Sequence, residues 1–117
     1  MQMYEIELSG PTPVDSYGPG FFRIAGQLHE GGLLLLPDRV ASWAGFDDLE
    51  TILAEKAGFD ILLVGTGADM QMLPPETRKS LEEAGFGVEP MPTPAACRTY
   101  NVLLSEGRRI AAALIPV

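Results

Sequence analysis

The first residues alternate: Tyr4, Ile6 and Leu8 are apolar while Glu5 and Glu7 are charged, the period of two that predicts a strand with one buried face. Residues 9–20 break any such pattern with Gly10, Pro11, Pro13, Gly18, Pro19 and Gly20, and read as a loop long enough to form a lip over a site. Residues 21–25 and 27–30 are short extended segments. Gly31 and Gly32 then turn the chain into the leucines of residues 33–36, so that the region predicts an antiparallel meander. Because those leucines are continuous rather than alternating, their strand is expected to be central and covered on both faces, with Pro37 ending it. Val40, Trp43 and Phe46 follow in an irregular linker, and the apolar area of Trp43 favours core packing over a pocket wall.

The period changes after Phe46. Asp47 is placed to cap a helix with Glu50 three positions on, and Leu49, Ile52, Leu53 and Ala57 share one helical face before Gly58 stops it. Residues 61–64 are a second wholly apolar run of strand length, followed directly by Gly65, Thr66 and Gly67. Pro74 and Pro75 open a helix whose Leu73, Thr77, Leu81 and Ala84 share a face, while Arg78–Glu82 and Lys79–Glu83 can pair at four-residue spacing. Gly85 closes that helix and residues 88–91 form a third strand. Thr93 is then expected to cap a helix with Pro94 at its first position, ended by Gly107 before a last strand at residues 110–115. Short apolar strands alternating with helices predict βαβ units. The expected fold is therefore one α/β domain over residues 1–117, with a mixed central sheet plus an N-terminal antiparallel β meander.

Composition narrows the function classes. With 16 acidic against 8 basic side chains the formal charge is −8, which repels nucleic-acid backbones and marks an acidic protein. A single cysteine and a single histidine supply neither a disulfide nor a zinc-ligand spacing, so no metal and no cofactor are expected. No apolar run approaches the roughly 18 residues of a membrane span, and the acidic start is unlike a targeting peptide. Membrane insertion is not expected.

Two local constellations could carry chemistry. Gly65-Thr66-Gly67 follows a buried strand, where open α/β sheets leave a crevice, and could form an anion-binding loop from backbone amides and the Thr66 hydroxyl. It lacks a P-loop lysine and a third glycine, and Asp69 adds negative charge, so a plain tight turn is favoured. In the following helix Cys97 lies near the start beside Arg98, two features that favour thiolate, while Arg98 could hold a carboxylate or phosphate. The alternative is a small buried residue, favoured because no general base is visible unless His29 is brought close. Asn101 lies one turn beyond Cys97, with Tyr100 flanking. Ala95, Ala96, Thr99, Val102 and Leu103 outline the opposite face, expected to seek the core. The candidate binding residues are thus Gly65, Thr66, Gly67, Cys97, Arg98, Thr99 and Asn101, with no confident catalytic residue.

The run at residues 91–114, with Thr93, Ala96-Cys97-Arg98-Thr99-Tyr100-Asn101, Glu106-Gly107-Arg108 and Ala112-Ala113-Leu114, resembles a small single-domain family that includes mitochondrial complex I assembly factor 3. Val64-Gly65-Thr66-Gly67, and Pro37 with Val40 and Trp43, match the same pattern in the same order, so the resemblance spans essentially the whole chain. It implies a three-layer β/β/α fold and a non-catalytic role in assembling respiratory NADH dehydrogenase, with no established catalytic residue. It also implies a protein partner, with respiratory-complex subunits as candidates, and leaves self-association open. Lacking the N-terminal targeting extension of the mitochondrial form, the chain is expected in a bacterial cytoplasm.

Overall fold

A computed structural model describes residues 5–54 and 58–117. Tyr4, expected on the first strand, and Ala57, expected on the first helix face, lie outside the described residues, as does the side chain of Leu49 on that face. Within them the chain runs β1 (Glu5–Glu7), β2 (Val14–Gly18), β3 (Phe21–Ile24), β4 (Gln27–Glu30), β5 (Leu33–Leu35), β6 (Arg39–Ser42), α1 (Leu49–Leu53), β7 (Ile61–Thr66), α2 (Pro75–Glu83), β8 (Gly87–Met91), α3 (Thr93–Ser105) and β9 (Ile110–Ile115).

Six strands form a mixed sheet in the order β1-β6-β5-β9-β7-β8, and β2-β3-β4 form a separate antiparallel sheet. The strand β7 lies between β9 and β8 and runs parallel to both, with α2 linking β7 to β8 and α3 linking β8 to β9, whereas β5 meets β9 antiparallel. The α/β class, the mixed sheet with βαβ units and the meander are as expected. The leucine strand is interior, between β6 and β9.

Continuous apolar strands supply two cores at once, because successive side chains point to opposite faces of the sheet. Leu33, Leu35, Leu63, Ala112 and Leu114 face one side, where they meet Ala96, Cys97 and Tyr100 of α3 and Val14, Phe22 and Ile24 of the small sheet. Leu34, Leu36, Leu62, Val64, Ala111 and Ala113 face the other, packing on Ile52 of α1, Leu81 of α2, Trp43 and the stacked pair Phe59 and Phe86. The layers are therefore α1 with α2, the six-stranded sheet, and the small sheet sharing its side with α3.

Four local expectations are corrected. Residues 14–18, read as loop, form β2. Pro19 and Gly20 (φ +77°) then make a turn that pairs Gly18 with Phe21, so glycine and proline mark a hairpin rather than an absence of strand. Residues 39–42, read as linker, form β6, held by β1 on one side and β5 on the other. The cap of α1 is Asp48 rather than Asp47: its carboxylate accepts from the Thr51 amide at 3.4 Å and hydroxyl at 2.6 Å, and its carbonyl accepts from Trp43 Nε1 at 3.0 Å. The meander also differs in membership, gaining β2 and losing the leucine strand. Its β3–β4 turn places Ala25 (φ +52°) and Gly26 (φ +76°) both in the left-handed region, the pattern of a two-residue type I′ hairpin.

Candidate functional site

The corner expected to bind a ligand is built at the carboxyl ends of β7 and β9, where the start of α3 crosses them. Thr93 organises it, though not as a cap. It lies inside α3, Pro92 occupies the cap position without a side-chain bond, and Thr93 is fully buried. Its amide donates to the Gly67 carbonyl at 2.8 Å, its hydroxyl accepts from the Gly67 amide at 2.9 Å, and the same hydroxyl donates to the Ile115 carbonyl at 2.6 Å. The hydroxyl thus closes a clasp across β7, α3 and β9, with its donor and an acceptor site both in use.

The glycines serve this close approach. A Cβ on Gly65 would stand 2.7 Å from Thr93 Oγ1, 2.9 Å from Leu114 Cδ2 and 3.2 Å from Thr93 Cα, so only glycine lets α3 sit down on β7. Gly67 has φ +97°. Thr66 is buried at 1% exposure, and its hydroxyl donates to the Asp69 carbonyl at 2.7 Å, has the Met91 carbonyl at 3.2 Å and accepts from the Gln71 amide at 3.2 Å. The polar groups that an anion would have used at Thr66 and Gly67 are therefore engaged within the chain.

Cys97 lies one turn into α3, on the core face rather than a site face. It is 3% exposed among Ala96, Tyr100 and the sheet leucines. Burial pushes its thiol from an ordinary 9.0 up to about 11, with the Arg98 guanidinium pulling the other way and losing. The thiol is therefore neutral, in keeping with the small buried residue favoured over a reactive thiolate. The buried face of α3 is Thr93, Ala96, Cys97 and Tyr100, while Val102, assigned to the core, is 55% exposed. The bonds of Thr93 to Gly67 and Ile115 fix the rotation of the helix on β7 and β9, which apolar periodicity alone misplaced.

Asn101 spans layers. Its Oδ1 accepts from the Val14 amide at 2.8 Å and its Nδ2 donates to the Val14 carbonyl at 2.9 Å, so one side chain pairs with β2 as a neighbouring strand would. Thr99 is half-buried and Arg98 exposed, without an ion pair among the described residues. His29 is buried on β4 opposite Phe22, and burial lowers its pKa. Tyr100 is fully buried, its hydroxyl has no hydrogen-bond partner among the described residues, and burial raises its pKa. The residues picked from sequence are thus brought into one structural unit, around α3, in which Arg98 is the exposed charged group. Thr93 stands out in the sequence as a cap; its bonds to Gly67 and Ile115 across the sheet do not.

Comparison with known proteins matches nearly the whole chain, this unit included. Residues 14–115 match the family described as a protein of unknown function, DUF498/DUF598. The chain is 52% identical over 109 residues to an uncharacterised protein of Rhodobacter capsulatus, covering 93% of this chain and 88% of that one. It is 35% identical over 117 residues to zebrafish (Danio rerio) NADH dehydrogenase (ubiquinone) 1 alpha subcomplex assembly factor 3, covering 94% of this chain and 67% of the relative. The crystal structure of an outer membrane protein from Bartonella henselae superposes with a TM-score of 0.83 at 38% identity, covering 92% of this chain and 97% of that one. Among the described residues no helix is long and apolar enough to cross a membrane. The clasp of Thr93 on Gly67 and the helix it positions lie inside the matched span, and the chain belongs to the DUF498/DUF598 family, whose relatives include the complex I assembly factors.

Proposed function

We propose that this chain is a non-catalytic interaction protein that supports assembly of a respiratory NADH dehydrogenase by binding its subunits or their assembly intermediates. The observation that carries the reading is the 35% identity with the zebrafish assembly factor over 94% of this chain. The geometry supports it: Cys97 is a buried neutral thiol, and the hydroxyls of Thr66 and Thr93 are bonded within the fold. Groups so engaged hold a surface in shape rather than turn over a substrate.

Deleting the gene in a bacterial host that builds this complex, and resolving membranes on a native gel stained for NADH oxidation, tests the reading. The expected result is loss of assembled complex with accumulation of partial forms. Undiminished complex in the deletion strain would overturn it. A cytoplasmic site of action goes with this role, and cell fractionation checks it. Recovery in the outer-membrane fraction, where the name of the Bartonella relative puts that protein, would contradict it.

A further inference from the structure

A recess lies at the opposite end of the sheet from the Thr93 corner, at the amino ends of β7 and β9. Pro11, Pro37, Gly58, Leu104 and Ile110 line it with Arg108 and Arg109, and it encloses about 160 Å³. It exists because α3 stops short: Gly107, at φ +78°, turns the chain back, the Arg108 amide closes on the Leu103 carbonyl at 3.0 Å, and Ile110 starts β9 beneath it. Leu104, in the last turn of α3, packs against the core, so the apolar wall is continuous with the interior.

Size and charge together define what fits. An apolar cavity of roughly 150 Å³ is large enough to take up benzene, so this recess accommodates one six-carbon apolar group and no drug-sized ligand. The two arginines are not equivalent. Arg109 Nε stands 3.9 Å from Asp60 Oδ2, whereas Arg108 is exposed and has no ion pair among the described residues. In a chain of net charge −8, this leaves a free guanidinium beside an apolar hole. A guanidinium engages a carboxylate by two parallel hydrogen bonds, which sets orientation as well as attraction.

The geometry points to a binding site for small apolar carboxylates, aromatic or short-chain aliphatic, with the hydrocarbon in the recess and the carboxylate on Arg108. This site is separate from the Thr93 corner and independent of the assembly role.

Phenylacetate is the probe, titrated into the ¹⁵N-labelled chain and followed by amide shifts, with 2-phenylethanol and acetate as controls. Saturable shifts at Gly58, Gly107 and Ile110 are expected, with half-saturation on the order of a millimolar, as ligand efficiency allows for about ten non-hydrogen atoms. The uncharged alcohol is expected to bind about tenfold more weakly, and Arg108→Gln to bring phenylacetate down to the alcohol's level. Arg108 is exposed, so that variant folds. Absence of saturable shifts at these amides, equal binding of the alcohol, unchanged binding to R108Q, or the same shifts from acetate alone would each overturn the assignment.

Discussion

Thr93 shows how much one side chain can be asked to do when it is buried. Its hydroxyl takes the Gly67 amide and gives to the Ile115 carbonyl, so Thr93→Val leaves both backbone groups without their partner in a dry site. The expected loss is on the order of 3 kcal/mol in a denaturant melt, whereas Thr93→Ser keeps the hydroxyl and should cost about 1 kcal/mol. Equal effects of the two would mean that the methyl, not the clasp, matters. A Thr-Pro pair at the start of an apolar helix is a capping pattern, and nothing local in the sequence says that residues 26 behind and 22 ahead arrive at its oxygen. Cys97 is a related case: the charge of Arg98 beside it is visible in sequence, but the extent of burial is not, and desolvation outweighs the neighbouring charge. The consequence is measurable. Because the folded thiol titrates near 11 rather than 9.0, and Tyr100 is also raised, the unfolded chain releases these protons first. Stability is therefore fully present below pH 9 and falls as pH rises towards 11, by about 2 kcal/mol for Cys97 alone. Cys97→Ala should flatten that decline in melts across pH 8–11, and in the native protein the thiol should resist an aromatic disulfide reagent at pH 8 until the chain unfolds.

At the scale of elements, the runs that were legible are those whose burial is two-sided. Leu33 to Leu36, residues 61–64 and residues 110–115 are unbroken apolar stretches, and each lies inside the six-stranded sheet. The elements that sequence hid are β2 and β6, because Val14 and Val40 are flanked by polar or small residues and the strands borrow their order from neighbours. For β2 one such neighbour is a helix: Asn101 holds both the amide and the carbonyl of Val14. Asn101→Ala is expected to cost about 1–2 kcal/mol and, more tellingly, to speed hydrogen exchange at Val14 and through β2–β4 while β7 and β9 keep their protection. Uniform acceleration over both sheets would show that the small sheet is not an independently held layer. The asparagine was noticed as a polar residue on the same face as Cys97, which is correct in placement; its partner is backbone 87 positions away, beyond any local pattern.

For the molecule as a whole, Gly67, Thr93 and Asn101 form the joint by which α3 ties the layers together, and that joint lies within the part shared with the assembly factors. The chain spans 60% to 67% of the length of the vertebrate relatives, so what those proteins do as wholes reaches this one through the shared domain alone. The proposed assembly role requires the chain to act by contact rather than by chemistry at Cys97. Complementation of the deletion strain tests it most directly, with wild type and Cys97→Ala supplied at matched levels and the assembled NADH dehydrogenase read by in-gel oxidation. Assembly lost on deletion and restored equally by both chains is the predicted result, whereas restoration by the wild type alone, or assembly that never falls, would contradict it.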